Sequence, residues 1–580
     1  MTPPRHEPSA ARQPLRLAAA LRERLAEGYR GADLRADLMA GAVVGIVALP
    51  LSMALAIASG VPPQYGLYTA IIAGALIALL GGTRTNVSGP TAAFVVVLSP
   101  ISARFGLSGL VLASFMAGGL MLAMGWLRLG RLIQFIPHPV TTGFTAGIAV
   151  VIAMLQVKDL LGLHVAVMPE HFLERLAALV GALPTWRAPD LAVGAGTLLL
   201  LVVWPRVTRR VPGPLIALAA AGAAAWALAT WAPGLSVDTI ATRFSAVADG
   251  VLEHGIPRTP PHFVLPWLLP GPDGSPVPLS LNLLRALMGP ALAIALLGAI
   301  ESLLCAVVAD GMAGTRHDPD VELVGQGLGN IVAPFFGGFA ATGAVARTAT
   351  AIRAGARSPL ASFFHALFVL AAVLALAPAL SWLPMAGLAA LLIHVAWGMC
   401  DARHFAHIVR VAPRSDVAVL LTCFSLTVVF DMVVAVSVGI VLAALLFMRE
   451  MAEIAGARPL EGEHHHFKDL PPGVIVYEIT GPLFFGAAEK AALAIARSGG
   501  RGSVRAVVLD MEDVPAMDVT GLVALESAIG KLRGIGITVV LAGVRSQPSS
   551  VLRRGGVQPR PGHAEFAADV PAALARLPAG

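Results

Sequence analysis

Charge is what this chain has least of. Asp, Glu, Lys and Arg make up 13% of its 580 residues, against about 25% in ordinary soluble domains. With 56% hydrophobic residues and a mean hydropathy of +0.77, a soluble globular protein is excluded and the relevant solvent is the bilayer. Cysteine is scarcer still. Cys305, Cys400 and Cys423 lie in or beside apolar segments without CxxC spacing, which argues against a disulfide framework or a zinc site and leaves them as small packing residues. No Walker A pattern and no GxSxG occurs, so the chain does not read as an enzyme, and no cofactor or metal is expected. The net charge of +6 is spread over many loops instead of forming one basic stripe with interleaved aromatics, which speaks against nucleic-acid binding.

What is present in abundance is apolar length. Runs such as LMAGAVVGIVALPLSMALAIASG from Leu38 and GLVLASFMAGGLMLAMGWLRLG from Gly109 can each cross a hydrocarbon core. Fourteen such segments are counted over the first 450 residues, several of them short. Residues 1–37 hold seven arginines and no continuous apolar core, so they do not read as a cleaved signal peptide. Arg128 and Arg131, then Arg206, Arg209 and Arg210, then Arg403, Arg410 and Arg414 follow alternate segments, with the longest polar loops (163–190 and 233–282) between them. The positive-inside rule puts the short basic loops in the cytoplasm. An even number of crossings then leaves both termini cytoplasmic, in an inner (cytoplasmic) membrane.

The solvent changes after Phe447-Met-Arg-Glu. EGEHHHFKDLPPG, from Glu461, is polar, and no later run reaches spanning length. GVIVYEI, AVVLDM and ITVVLAGV read as short strands and VTGLVALESAIGKLRGIG as a helix with a glycine stop, a βαβ order for a compact α/β module. The expected division is a cytoplasmic N-terminal segment 1–37, a transmembrane region 38–449, a linker 450–465 and a soluble domain 466–580. Three adjacent histidines, His464 to His466, read as solvated linker residues before metal ligands.

Two stretches carry the functional signal. GGTRTNVSGPTAAF, residues 81–94, written above GGFAATGAVARTAT, residues 337–350, shows a shared order: an apolar segment, Gly-Gly, a few small or polar residues, then helix. Inverted repeats with broken helices leave such a trace, although many of the glycines are also explained by close helix packing. In this register Thr91 falls opposite Arg347. A helix starting in mid-membrane presents unpaired N–H groups and roughly half a positive charge. Two such ends and Arg347 supply about two positive charges, which a divalent anion would balance. An arginine at a helix centre costs about 2.5 to 3.5 kcal/mol on insertion scales, so an idle one is not expected. Glu301, in LLGAIESLLCAVVAD, is the other ionisable residue at that depth; it would bind a coupling cation, carry a proton, or neutralise Arg347 in an empty site.

LPLSMALAIASGVPPQYGLY (residues 49–68), SGPTAAF, ELVGQGLGNIVAPFFGG and the 337–359 stretch together resemble the SulP family of anion transporters, the SLC26 family of animals. The C-terminal LDMEDVPAMDVTGLVAL resembles a STAS domain. The resemblance implies a polytopic α-helical fold of seven plus seven transmembrane segments in inverted repeat (UraA/SLC26-like), with core and gate domains and a cytoplasmic α/β STAS domain. It implies substrate held between the half-helices of segments 3 and 10: Gly89, Pro90, Thr91 and Ala92 on one side, Ala344, Val345, Ala346 and Arg347 on the other. Segment 1 adds Leu51 and Leu55, and segment 8 adds Glu301 and Cys305 at a coupling-ion or proton position. Sodium-coupled bicarbonate members carry an aspartate and a threonine in place of Glu301 and Cys305, and a glycine in place of Arg347. A sodium site is therefore in question, and a proton suits Glu301 better.

Within the family, IESLLCAVVADGMAGT, VGQGLGNIVAPFFGG and MPEHFL look most like the bacterial C4-dicarboxylate transporters. The function so implied is secondary active uptake of succinate, fumarate, malate or aspartate by alternating access with protons, sulfate or bicarbonate transport being the alternative. A membrane signalling scaffold built on the STAS module is the alternative of another class. Family STAS domains imply a homodimer and a cytosolic regulatory partner. In the Asp518-Val519-Thr520-Gly521 loop, Asp518 and Thr520 are either a regulatory phosphorylation loop or plain helix caps.

Overall fold

The structure is a computed structural model. It describes residues 15–133, 136–165, 168–169, 171–208, 211–248, 251–430, 432–454, 456–459, 470–484, 504–557 and 564–577. Arg209, Arg210, Glu170 and His464 to His466, singled out above, lie outside the described residues.

The first unit, Met1–Ile440, is helical. Its elements begin with α1 (Ala19–Ala26), α2 (Gly31–Ala58), α3 (Pro63–Leu80), α4 (Ala92–Trp126), α5 (Gly130–Ile133), α6 (His138–Leu161) and α7 (Phe172–Ala182). After these come α8 (Ala188–Val207), α9 (Gly213–Trp231), α10 (Ile240–Arg243), the antiparallel pair β2 (Ser245–Ala248) and β3 (Val251–His254), α11 (Leu281–Ala313) and α12 (Pro319–Val332). The helical series closes with α13 (Val345–Arg353), α14 (Leu360–Ser381), α15 (Met385–Cys400), α16 (Ala402–Val411), α17 (Arg414–Val429) and the first part of α18 (Met432–Ile454). Among the described residues, ten helices are long and apolar enough to cross a membrane. α4 holds two of the expected segments, because Gly106 interrupts it at φ 67°, a conformation glycine adopts without steric cost. The shorter α12, α13 and α17 complete the fourteen. The first span starts at Gly31, upstream of Leu38, and the last helix runs on to Ile454.

Packing divides these helices into two bundles. α2, α3, α4, α11, α12, α13 and α14 pack on one another, and α6, α8, α9, α15 and α17 form the second group: the core and gate of the seven-plus-seven fold. In lipid, helices gain little from hydrophobic burial against each other and rely on close backbone packing. Along α2, a Cβ on Gly41 would lie 2.7 Å from the Ala361 carbonyl oxygen, and one on Gly45 2.3 Å from the Phe368 ring. Across α4 and α12, a Cβ on Gly327 would sit 2.6 Å from the Leu122 nitrogen. Small residues thus bring the core helices to backbone contact.

Ahead of the first span, α1 leans on the end of α3, where Ala18 N donates to Leu80 O at 3.1 Å. Its Glu27 accepts from the Arg84 guanidinium, which holds this carboxyl below the usual carboxylate range.

The second unit, Val441–Gly580, contains a five-stranded sheet in the order β5 (Gly456–Pro459), β6 (Val474–Thr480), β7 (Ala506–Asp510), β8 (Thr538–Ala542) and β9 (Glu565–Ala567). β5 is antiparallel to β6, and the remaining neighbours are parallel. AVVLD and TVVLA are apolar on both faces, as strands covered on two sides must be. Val507, Leu509, Val539 and Leu541 face one core, and Val508, Val540 and Ala542 the other. The sequence-read strands and helix all appear. β5 and β9 lie outside that reading.

Candidate functional site

The chain leaves helical geometry twice inside the core bundle. After α3 it passes through β1 (Ser88–Gly89) into α4, and after α12 through β4 (Thr342–Gly343) into α13. The two short strands pair antiparallel, Ser88 with Gly343 and Gly89 with Thr342, and Ala344 N donates to Val87 O at 2.8 Å. An antiparallel crossing of equivalent segments is what an inverted repeat produces. It also fixes the starts of α4 and α13 side by side.

Thr91 and Ala344 are the N-cap residues of these helices, both extended, and neither makes a side-chain cap. The equivalent of Thr91 is therefore Ala344, and Arg347 stands one turn further on, at the third position of α13. The ungapped register that sets Thr91 against Arg347 is corrected by three residues. The cause is a shorter second connection: two residues fewer lead from Gly337 to β4 than from Gly81 to β1, and Pro90 separates β1 from its N-cap whereas Ala344 follows β4 directly. With no side-chain cap on either helix, the first amides of both remain available as donors.

Arg347 is 2% exposed. Its Nη2 donates to the Pro90 carbonyl oxygen at 2.6 Å, tying the second half-helix to the entrance of the first. Among the described residues, Nε and Nη1 have no hydrogen-bond partner. Gly89 makes room for them: a Cβ there would lie 2.6 Å from Nη1, while its next neighbours, Ala70 Cα and Cβ, would be at an ordinary 3.7 and 3.8 Å. A buried guanidinium with open N–H groups is costly unless something negative meets it. Glu301 does not supply that partner. Among the described residues Arg347 and Glu301 form no ion pair, and the half-buried Glu301 accepts instead from Thr91 Oγ1 at 3.0 Å. Pairing of the two as a structural neutral unit is thus not what the site contains.

The other expected residues have definite places. Gly89, Pro90 and Ala92 are buried around the first break. Val345 and Ala346 are exposed on the first turn of α13, with Ala344 half-buried beside them, so they form the open rim. Leu51 and Leu55 follow Pro50 on α2, a helix that packs on both α13 and α4. Cys305 sits deeper, its Sγ bonded to Asn86 Oδ1 at 3.1 Å and Thr348 Oγ1 at 3.2 Å, in contact with both breaks but not with Arg347 or Glu301 by hydrogen bond. In the second unit, Asp518 caps helix Val519–Gly534 by accepting from Gly521 N at 2.7 Å. Thr520 is exposed in its first turn.

Sequence reasoning passed over one set of residues. Glu322, Gln326 and Asn330 on α12 are buried polar groups bonded to the two breaks. The signal lay in ELVGQGLGN, three polar side chains at spacing four in a stretch otherwise made of small and apolar residues.

Residues 34–423 match the sulfate permease family and residues 468–573 the STAS domain. The putative sulfate transporter YvdB of Bacillus subtilis is 38% identical over 540 residues, 93% of this chain and 97% of that protein. The bicarbonate transporter BicA of Picosynechococcus sp. is 30% identical over 520 residues, 86% of each. Among solved structures, the murine Slc26a9 anion transporter in the inward-facing state has a TM-score of 0.82 at 18% identity, with 96% of this chain and 93% of that one covered. The transmembrane domain of a cyanobacterial BicA has a TM-score of 0.59 at 26% identity, with 72% and 98% covered.

Proposed function

This chain belongs to the sulfate permease family and is a multi-pass membrane anion transporter, not an enzyme, and on that premise we propose that it takes up C4-dicarboxylates such as succinate at the Arg347 pocket, with protons. The observation that carries this reading is the buried guanidinium whose Nε and Nη1 have no partner among the described residues. Each of these open N–H groups can donate a charge-assisted hydrogen bond to a carboxylate oxygen. The uncapped starts of α4 and α13 are there to meet the second carboxylate.

Charge supports coupling to a proton. Arg347 and two helix ends amount to about two positive charges, and an ionised Glu301 would remove one of them. A divalent cargo is then balanced only when Glu301 is neutral, so cargo and proton favour each other's binding. Alternating access follows if the core bundle, carrying both breaks, shifts against the gate bundle. The chain is read as a homodimer in the inner membrane with both termini cytoplasmic, and Asp518 and Thr520 as the face offered to a cytosolic regulator.

Sulfate is the second reading, favoured by the 38% identity to a putative sulfate transporter and by the equal charge of the two anions. A signalling scaffold is disfavoured, because it has no use for an open guanidinium between two helix starts. Uptake of labelled succinate into proteoliposomes, competed with sulfate, bicarbonate and aspartate, tests the proposal. Uptake above empty vesicles, displaced by aspartate before sulfate, supports it. Displacement by sulfate first moves the assignment to sulfate, and no uptake of any anion returns the scaffold.

A further inference from the structure

Glu322, Gln326 and Asn330 stand on one face of α12, four residues apart, and are 1%, 0% and 1% exposed. The Glu322 carboxylate accepts four hydrogen bonds. Oε2 takes Gly82 N at 3.0 Å and Thr83 Oγ1 at 2.8 Å; Oε1 takes Asn86 Nδ2 at 2.8 Å and Gln326 Nε2 at 3.2 Å. Among the described residues no cation pairs with it. Gln326 Nε2 also donates to Ser88 Oγ at 2.9 Å. Asn330 holds the other break from both sides, its Oδ1 accepting from Ala341 N at 2.7 Å and its Nδ2 donating to Ala341 O at 2.9 Å.

One helix face therefore grips both interruptions. The grip continues inward: Asn86 Oδ1 accepts from Thr348 Oγ1 at 3.2 Å, and Thr348 Oγ1 accepts from Val87 N at 2.9 Å. Thr348 is the residue after Arg347. A chain of bonds thus runs from Glu322 through Asn86 to the turn that carries the open guanidinium.

For folding alone, a buried carboxylate with no cation partner is a poor choice, since an apolar group of similar volume costs less. What the carboxylate adds is directionality: it can only accept, so every group around it must donate, and the loop 82–86 has one arrangement that does so. We propose that Glu322 is a positioning residue for transport, which through Asn86 holds the start of α4 at a fixed place relative to Arg347 so that both half-helices move as one body. The proposal rests on the reading of Arg347 as the anion site.

The test is a donor–acceptor swap. Glu322→Gln places one amide NH2 where two donors now arrive, so either the Gly82 and Thr83 pair or the Asn86 and Gln326 pair loses its acceptor. Asn86→Asp alone sets a second carboxylate against the first. In the double variant Glu322→Gln/Asn86→Asp, the amide introduced on α12 accepts from Gly82 and Thr83 through its oxygen. Its NH2 donates to the carboxylate introduced in the loop, which still accepts from Cys305 and Thr348, while Gln326 Nε2 gives up its longer bond to α12 and keeps Ser88 Oγ. Both single variants should raise the KM for succinate uptake by at least about tenfold, with kcat less affected, and the double variant should recover to within about threefold of the unmodified protein. Recovery in the double identifies the bond pattern as the cause even where a single variant inserts poorly. Singles with unchanged KM, or a monodisperse double that stays as impaired as the singles, overturn the proposal. Arg347→Ala is measured alongside: normal uptake there defeats the anion-site reading itself, whereas lost uptake with a failed swap defeats only the role given to Glu322.

Discussion

Gly89→Ala isolates the guanidinium from the rest of the fold. The new methyl would meet Arg347 Nη1 at 2.6 Å, with its other neighbours at ordinary contact, 3.7 Å or more. Gly89 is not among the residues with positive φ, so alanine suits its backbone. The tip of a long side chain yields more readily than backbone, and the fold should lose little. The guanidinium must leave the Pro90 oxygen, at present 2.6 Å from Nη2. A hydrogen bond from a charged group contributes about 1.5 to 3 kcal/mol. If the anion has to restore that geometry on binding, its affinity falls by about 10- to 150-fold at 1.36 kcal/mol per decade. The assay is concentration-dependent uptake in proteoliposomes, with thermal unfolding in detergent as the control for stability. In an Arg347→Ala background, which itself loses uptake, the same methyl should cost no further thermal stability, since the clash is gone. Unchanged KM in Gly89→Ala, or a further loss of stability when it is added to Arg347→Ala, would refute the reasoning.

Uptake should rise as external pH falls, and Glu301→Gln should flatten that profile; a sodium requirement without pH response would count against proton coupling. In the second unit, Asp518→Ala should lower the protection of the Leu525–Ile529 amides in hydrogen exchange by about 1 kcal/mol, while Thr520→Ala leaves it unchanged. Equal effects of the two would contradict the assignment of Asp518 as the cap.

Much of this architecture was legible because lipid permits so few structures. A backbone that must satisfy its own hydrogen bonds in hydrocarbon becomes helix wherever apolar residues run long enough, and the long runs map directly onto α2, α4, α11 and α14. α13 is the opposite case. VARTATAIR is short and carries two arginines, so hydropathy alone would pass it by, and only its likeness to residues 81–94 marks it as a helix. That comparison found the right partners but the wrong register, because an ungapped pairing cannot see that the first connection is three residues longer. Arg347 could be singled out from its depth, but its freedom from Glu301 could not, since both lie in apolar sequence and their separation is a matter of three helices meeting. Glu322 escaped for a related reason. Its four donors come from residues about 240 positions earlier or one helical turn away, and spacing along α12 says nothing about what stands across from it. β5 was hidden in a polar stretch whose pairing with β6 is set by the sheet and not by its own composition.

The most direct measurement is calorimetric titration of succinate into the purified protein and into Arg347→Ala, both in detergent and both shown to be monodisperse. A buried guanidinium that meets the cargo predicts saturable binding to the unmodified protein and none detectable to the variant. Equal affinity in the two would mean that the anion is held elsewhere, and that Arg347 has some other reason to be where it is.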